Sequence, residues 1–314
     1  MATELPDRQL PEGVAGEVVR ELQGEAPRAT TVVPPRTTGE RIRRIVVYVL
    51  LVTVAILYFT PFLWTVSTSL KTLPESVAGF DLLPDNPTLD AYRNALREFN
   101  FARYAGNSAI LAVSVTFFNL VLASIGGYAF ARLRFPGREL LFMAVLATLM
   151  IPDQLRLVPV YLMLIDFPVT SWNLIGTYQG FALINLVTAT NLFLMRQYFL
   201  TIPKDYEEAA KLDGAGYFKT YWKVMLPLAT PALAAVTILQ FQGTWNEFFW
   251  ALIILQDESK YTLPIGISTF IGVYNTQWPE LMAASVIAIL PVALVFVLFQ
   301  RYFIAGVAAA GVKG

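Results

Sequence analysis

The 314-residue chain has no cysteine and no histidine. The first absence excludes a disulfide framework and thiolate chemistry. The second removes the usual zinc and 2-His-1-carboxylate sites and leaves no imidazole to act as a general base. No G-x-x-x-x-G-K-[ST] stretch occurs, so the chain has no P-loop with which to cradle the phosphates of ATP. Charge is scarce as well: 15% of residues are charged, 23 basic against 23 acidic, and the zero net charge points to no nucleic-acid partner. Fourteen of those charges precede Ile45, which leaves thirty-two for the last 270 residues, too few to cover a water-soluble surface of that size.

What fills the chain is hydrocarbon. Apolar and aromatic residues make up 56% and mean hydropathy is +0.55, against about 45–50% apolar in soluble domains. A span of about 20 apolar residues crosses a bilayer core. Six runs meet that length: Ile45–Leu70, Ser108–Ala131, Leu140–Leu164, Leu174–Met195, Pro231–Leu255 and Leu281–Phe303. The expected fold is an all-α polytopic membrane protein of six transmembrane helices, comprising residues 41–314. Residues 1–40 hold five prolines among scattered charges without an apolar period and read as a disordered tail. The tail lacks the basic start and early apolar run of a signal peptide.

Lysine and arginine near the span ends set the orientation. With the N-terminus in the cytoplasm, thirteen fall on that side and only Lys71, Arg93, Arg97, Arg103 and Lys260 fall outside, Arg156 lying within a span. Both termini are then cytoplasmic, and the segment Thr88–Phe99 is expected as an amphipathic helix on the outer surface.

Polar groups inside the runs are the candidate functional residues, because an ionisable side chain in a membrane is costly and faces a cavity or a partner. Asp153 and Arg156, three apart between Pro152 and Pro159, are placed to pair on one helix face. Their alternative role is to hold a broken helix. In the fifth run a continuous helix would put Gln240, Thr244 and Glu247 on one face and Gln242 and Asn246 on another. Amides and carboxylates suit sugar hydroxyls, with Trp245 or Trp250 available for stacking; hydrogen bonding between helices is the competing role. Gly126-Gly127 reads as a close-packing contact.

The loop between the fourth and fifth runs is IPKDYEEAAKLDGAGYFKTYWKVMLPLATP. Pro203 and the acids Asp205, Glu207 and Glu208 suit a helix N-terminus, and Gly214 suits its end. A second helix from Tyr217 to about Val224 is expected to stop at Pro227 and Pro231. Glu208-Ala209-Ala210, three residues, Gly214, nine residues, and Val224-x-Leu226-Pro227 resemble the EAA loop of ABC-importer permeases, with Val224 where isoleucine is commoner. The stretches YAFARLRFP (128–136), WNEFFWAL (245–252), YTLPIG (261–266) and the terminus from Gln300 to Gly314 are similar to the carbohydrate-uptake branch, in particular to the smaller six-span subunit of maltose permeases.

That resemblance implies a multi-pass permease of a bacterial or archaeal inner membrane, embedded in lipid, that imports a disaccharide or oligosaccharide and does no covalent chemistry. Its implied partners are a homologous second permease, two ATP-binding subunits and an extracytoplasmic sugar-binding protein. ATP and Mg would be bound by the ATPase pair, leaving this chain without a cofactor. Glu208, Ala209, Ala210, Gly214, Leu226 and Pro227 would form the coupling element, a helix seated in a groove of the ATPase. A secondary transporter titrating Asp153, Arg156 or Glu247 is the alternative; it would favour internal repeats, and none is visible. A non-transporting scaffold would not need the loop's pattern.

Overall fold

The structure, a computed structural model, describes residues 38–79, 81–98, 100–168, 171–272 and 275–311. The chain divides into two units, residues 1–58 and 59–314. In the first, the described residues are the opening turns of a helix, Thr38–Thr68, that ends in the second. The tail assigned to residues 1–40 falls outside the described residues up to position 37, and the helix begins at Thr38. Among the described residues there is no strand, only an isolated bridge between Ile271 and Thr276.

Among the described residues three helices are long and apolar enough to cross a membrane: Arg41–Thr68, Phe101–Arg132 and Trp278–Tyr302, of 28, 32 and 25 residues. At about 1.5 Å per residue each exceeds the ~30 Å of hydrocarbon. Two bent pairs raise the number to five: Arg138–Met150 with Asp153–Ile165, bent by 108°, and Tyr217–Leu228 with Thr230–Trp245, bent by 75°. This is an all-helical membrane protein with three to five candidate spans.

The first, second and sixth apolar runs coincide with the three unbroken helices. The third, fourth and fifth do not form single helices. Pro152 breaks the third: its backbone (ψ 143°) is not helical, and a new helix starts at Asp153. The fourth is split into Tyr178–Asn185 and Ala189–Thr201. Here Asn119 Nδ2 reaches across from another helix and donates to the Leu186 carbonyl at 3.0 Å, satisfying backbone that the break has freed. The fifth stops at Trp245 and resumes at Phe249. The cause is local, since Glu247 Oε1 accepts from the Trp250 amide at 3.0 Å and opens a new helix there. Hydropathy counts apolar residues and is blind to such interruptions.

Helix Phe101–Arg132 is the axis of the second unit, packed by Ala189–Thr201 and by Thr230–Trp245, which in turn packs on Trp278–Gly311. Three apolar clusters lie along it. Tyr128, Met195, Phe199, Tyr221, Met225 and Val236 gather at its C-terminal end. Phe101, Tyr104, Phe241, Trp245 and Phe270 gather at the other, and Leu111, Phe181, Trp250 and Ile254 lie to one side. The glycine pair lets backbones touch, as expected: a Cβ on Gly127 would lie 2.6 Å from Met195 Cβ and 2.9 Å from the Arg196 amide nitrogen. Small residues at such crossings are the usual device for close helix packing in membranes.

At the end of the axis near Phe101, the segment after Leu255 is pinned by side chains from that helix. Tyr104 Oη donates to Glu258 at 3.0 Å, and Asn107 Nδ2 donates to the carbonyls of Ser259 and Tyr261 at 3.0 and 2.9 Å. Within this segment the Ser259 hydroxyl, and then its amide, donate to Asp257 and hold that carboxyl below its ordinary range. The amphipathic segment forms helix Asp90–Glu98. It does not merely lie on a surface: Ala91 and Ala95 are buried, and Asn94 donates to Glu280 at the start of the last helix at 3.1 Å.

Candidate functional site

The loop helix forms over Asp205–Leu212, with three acids in its first turn where unpaired amides favour negative charge. Its end is a Schellman motif. Gly214 has φ +73°, the Ala215 amide donates to the Ala210 carbonyl at 2.9 Å, and the Gly214 amide donates to the Lys211 carbonyl at 3.0 Å. Glycine is required there because the left-handed conformation costs other residues energy.

The helix presents two different faces. Ala210 is buried and Glu207 nearly so, while Tyr206, Glu208, Ala209 and Leu212 are exposed, Leu212 to 89%. Of the two alanines expected to meet a partner, only Ala209 is free to do so; Ala210 faces the body of the protein. After the turn, Tyr217 and Phe218 add exposed aromatic surface.

The second loop helix departs from expectation. It runs from Tyr217 to Thr220, widens into a π turn over Tyr221–Met225, and continues through Leu226–Leu228. Pro227 therefore does not stop it. Proline removes one amide and crowds the preceding turn, and the wider π turn makes room; the bend comes after Leu228 instead. Leu226 is half-buried and Pro227 exposed.

Two contacts fasten this loop to the axis helix. Arg132 and Glu207 form an ion pair at 3.7 Å with side chains only 6% and 13% exposed. The same guanidinium donates to the carbonyls of Phe199, at 2.6 Å, and Ile202, where the C-terminal dipole of Ala189–Thr201 favours a cation. Nearby, the Tyr221 and Ser124 hydroxyls share a hydrogen bond at 2.7 Å, and the Tyr221 ring lies 5.2 Å from that of Tyr128. In the sequence Arg132 is one of three arginines that follow the second apolar run, with Arg134 and Arg138. Nothing in one sequence links it to an acid seventy-five positions away.

The residues nominated for a substrate path separate into two groups. Gln240 and Thr244 are buried and hydrogen-bonded to each other at 3.0 Å. Gln240 Oε1 accepts from Asn191 at 2.7 Å, and Asn191 donates also to Asn119 at 2.8 Å. These amides join three helices and partner one another, as burial favours. Asn119 was not singled out, although a lone amide in an apolar run was signal enough. Asp153 and Arg156 do pair, and both are exposed, at the bend between two helices. Asn246 is exposed and Glu247 half-buried. They lie beyond the helix end, so Glu247 does not continue the Gln240–Thr244 face. Both tryptophans are buried: Trp245 donates to the Ala288 carbonyl at 3.0 Å and stacks on Phe241, and Trp250 is 5% exposed. Neither offers a free face for a sugar.

Among the described residues no group of acids could hold a metal ion. The Gly214 turn, the fastened loop helix and its exposed outer face suit docking rather than covalent chemistry.

Residues 37–308 match the family described as binding-protein-dependent transport system inner membrane component. An arabinooligosaccharides transport system permease protein of Halalkalibacterium halodurans is 37% identical over 232 residues, 74% of this chain and 81% of its own length. The trehalose/maltose transport system permease protein of Thermococcus litoralis is 34% identical over 280 residues, covering 88% and 99%. Among solved structures, a chain of a bacterial ABC transporter involved in the import of the acidic polysaccharide alginate superposes with a TM-score of 0.74 at 29% identity, over 86% of this chain and 99% of that one. The match spans nearly all the described residues and displaces the ion-coupled alternative. The chain belongs to the binding-protein-dependent transport system inner membrane components, the permeases of ABC importers, in their carbohydrate-uptake branch.

Proposed function

We propose that this chain is one of two permeases forming the pathway of an ATP-driven disaccharide or oligosaccharide importer, and that it takes its power stroke through the Asp205–Leu212 helix. The observation that carries this reading is the division of that helix. Its inner face is tied to the axis helix by the buried Arg132–Glu207 pair, while its outer face, Tyr206, Glu208, Ala209 and Leu212, is unburied. A displacement imposed on the outer face passes to Phe101–Arg132 and, through the Asn119–Asn191–Gln240 amides, to its neighbours. The relatives' names support the substrate class, being transport systems for arabinooligosaccharides and for trehalose/maltose.

In this reading the three interrupted runs each cross the bilayer, making six spans with the loop helix on the cytoplasmic face. A homologous permease completes the pathway, two ATPase subunits bind ATP and Mg, and a binding protein delivers sugar from outside. Gly214, Leu226 and Pro227 shape the coupling loop, and Glu208, Ala209 and Ala210 line its helix. Asp153, Arg156, Asn246 and Glu247 are the pathway candidates whose polar groups reach a surface, with Gln240 and Thr244 holding the helices behind them.

The test is co-purification of the ATPase with Ala209→Glu and Leu212→Asp. Both positions face outward, so the variants are expected to insert and keep their thermal stability while losing the ATPase and sugar uptake. Full retention of the ATPase with normal uptake would overturn the assignment.

A further inference from the structure

A cavity of about 1090 Å³ opens between the end of the axis helix, the turn Leu133–Arg138 and the loop helix. Arg132, Arg134, Arg138, Lys204 and Lys211 line it, against the carboxylates of Glu207 and Glu208. Glu207 is engaged by Arg132, and Arg138 pairs with Glu139 at 2.8 Å; the remaining cations, Arg134, Lys204 and Lys211, outnumber Glu208. Arg134 and Lys204 have no ion pair among the described residues, and Lys211 has only the ring of Tyr217, 5.9 Å away. Arg132 is nearly buried on the cavity wall, with its Nε turned to Glu207 at 3.7 Å, so the charge left over there is that of Arg134, Lys204 and Lys211. The site is therefore built for an anion.

Its position says which kind. A second, more open cavity of about 490 Å³ shares Arg134, Phe135 and Arg138 with the first and adds Leu140 and Glu139, whose carboxylate is taken up by Arg138 and Arg196. From there the helix Arg138–Ala147 presents Leu140, Leu141 and Met143 outward, each more than half exposed. Cations thus give way to hydrocarbon within one helical turn, the profile of a phosphate headgroup above its acyl chains. Basic pockets on the cytoplasmic side of membrane helices bind anionic lipid headgroups in this way.

We propose that the cavity bounded by Arg134, Arg138 and Lys204 holds the phosphate of an anionic phospholipid of the inner leaflet, with its acyl chains along Phe135 and Leu140. A lipid seated there wedges the Leu133–Arg138 turn against the loop helix, so that lipid composition bears on coupling. The depth assignment rests on the six-span reading above; the binding measurement does not, because it reads lipid rather than transport.

The test is native mass spectrometry of the full chain, presented with phosphatidylglycerol and phosphatidylcholine of identical acyl chains. The wild type is expected to retain phosphatidylglycerol, and the Arg134→Gln/Arg138→Gln pair to lose it roughly tenfold. Arg138 also donates to the Leu133 carbonyl at 3.1 Å. Arg134→Gln alone, at a side chain with no ion pair or hydrogen bond among the described residues, is therefore expected to give a smaller loss with unchanged thermal stability. Lys223→Gln, an exposed cation outside the cavity, should retain the lipid as the wild type does. Equal retention of the two lipids, an undiminished signal from the double variant, or an equal loss from Lys223→Gln overturns the proposal. So does displacement of the lipid by millimolar inorganic phosphate, which would mark a site for the free anion. If the site fails while the loop still labels from the cytoplasm, the topology stands and only the lipid is lost.

Discussion

Arg132 carries two obligations, and they can be separated. Its guanidinium neutralises Glu207 in a buried setting and caps the carbonyls of Phe199 and Ile202. Removing one partner of a buried pair leaves an uncompensated charge, at a cost of about 3–5 kcal/mol. Arg132→Ala is therefore expected to lower thermal stability more than Glu207→Ala, because it orphans the two carbonyls as well. The double variant should be less destabilised than the two single effects added. Thermal unfolding of the four proteins in one detergent closes the cycle, and strict additivity would show that the two side chains do not interact. Gly214 behaves differently. A Cβ there would meet nothing within 4 Å, so the whole penalty of Gly214→Ala is conformational, about 1–2 kcal/mol for a left-handed residue. Gly214→Asn should recover most of it, since asparagine tolerates that region, and ATPase co-purification and melting temperature should rise together.

Between helices, the same amino acid has opposite meanings at different places. Gly127→Ala drives a Cβ into the backbone of Ala189–Thr201, where it meets Met195 Cβ and the Arg196 amide; neither can rotate away. Overpacking of this kind costs about 1–3 kcal/mol, and the variant is expected to melt earlier. Gly106→Ala, in the same helix with nothing within 4 Å, should be neutral or stabilising by up to about 1 kcal/mol, the helix-propensity difference. Melting the two variants side by side tests whether the close crossing is real. The amide network belongs to this scale too. Asn119 satisfies the Leu186 carbonyl at the break in the fourth run, and Asn191 ties Asn119 to Gln240 on a third helix, so that the broken helix stays buried.

At the scale of the molecule the open matter is how often the chain crosses the bilayer. The absence of native cysteine supplies a clean background for single-cysteine labelling. With six crossings, Lys219→Cys is expected to react with an impermeant maleimide only from the cytoplasmic side, and Asp85→Cys and Lys260→Cys only from outside. Asp85 and Lys219 are exposed, and Lys260 is half-buried, its Nζ donating to the Gly176 carbonyl. Labelling of positions 85 and 219 from one side would contradict the six-span arrangement. The charge distribution already leans one way, since arginine and lysine cluster at the ends of the runs that flank the Asp205–Leu212 helix.

Membrane residence, the helical class, the loop helix and its glycine terminator were legible without coordinates, because each depends on local composition or on neighbours in the chain. An apolar run of twenty residues has few places to be, and an acidic start with a glycine four positions past Ala210 specifies a short helix whatever surrounds it. The close approach at Gly126-Gly127 was legible for a similar reason, small residues being rare in such a run without cause. The interruptions of the third, fourth and fifth runs were not. Proline at 152 hinted at one; the break at Leu186 depends on Asn119, which only the assembled bundle brings near, and the break at Glu247 rests on a local bond to the Trp250 amide that hydropathy does not register. The Arg132–Glu207 pair, the burial of Ala210, Gln240, Trp245 and Trp250, and the basic cavity were decided by tertiary structure alone. Each joins residues far apart in the chain, and periodicity says which face a residue occupies, not what stands opposite it.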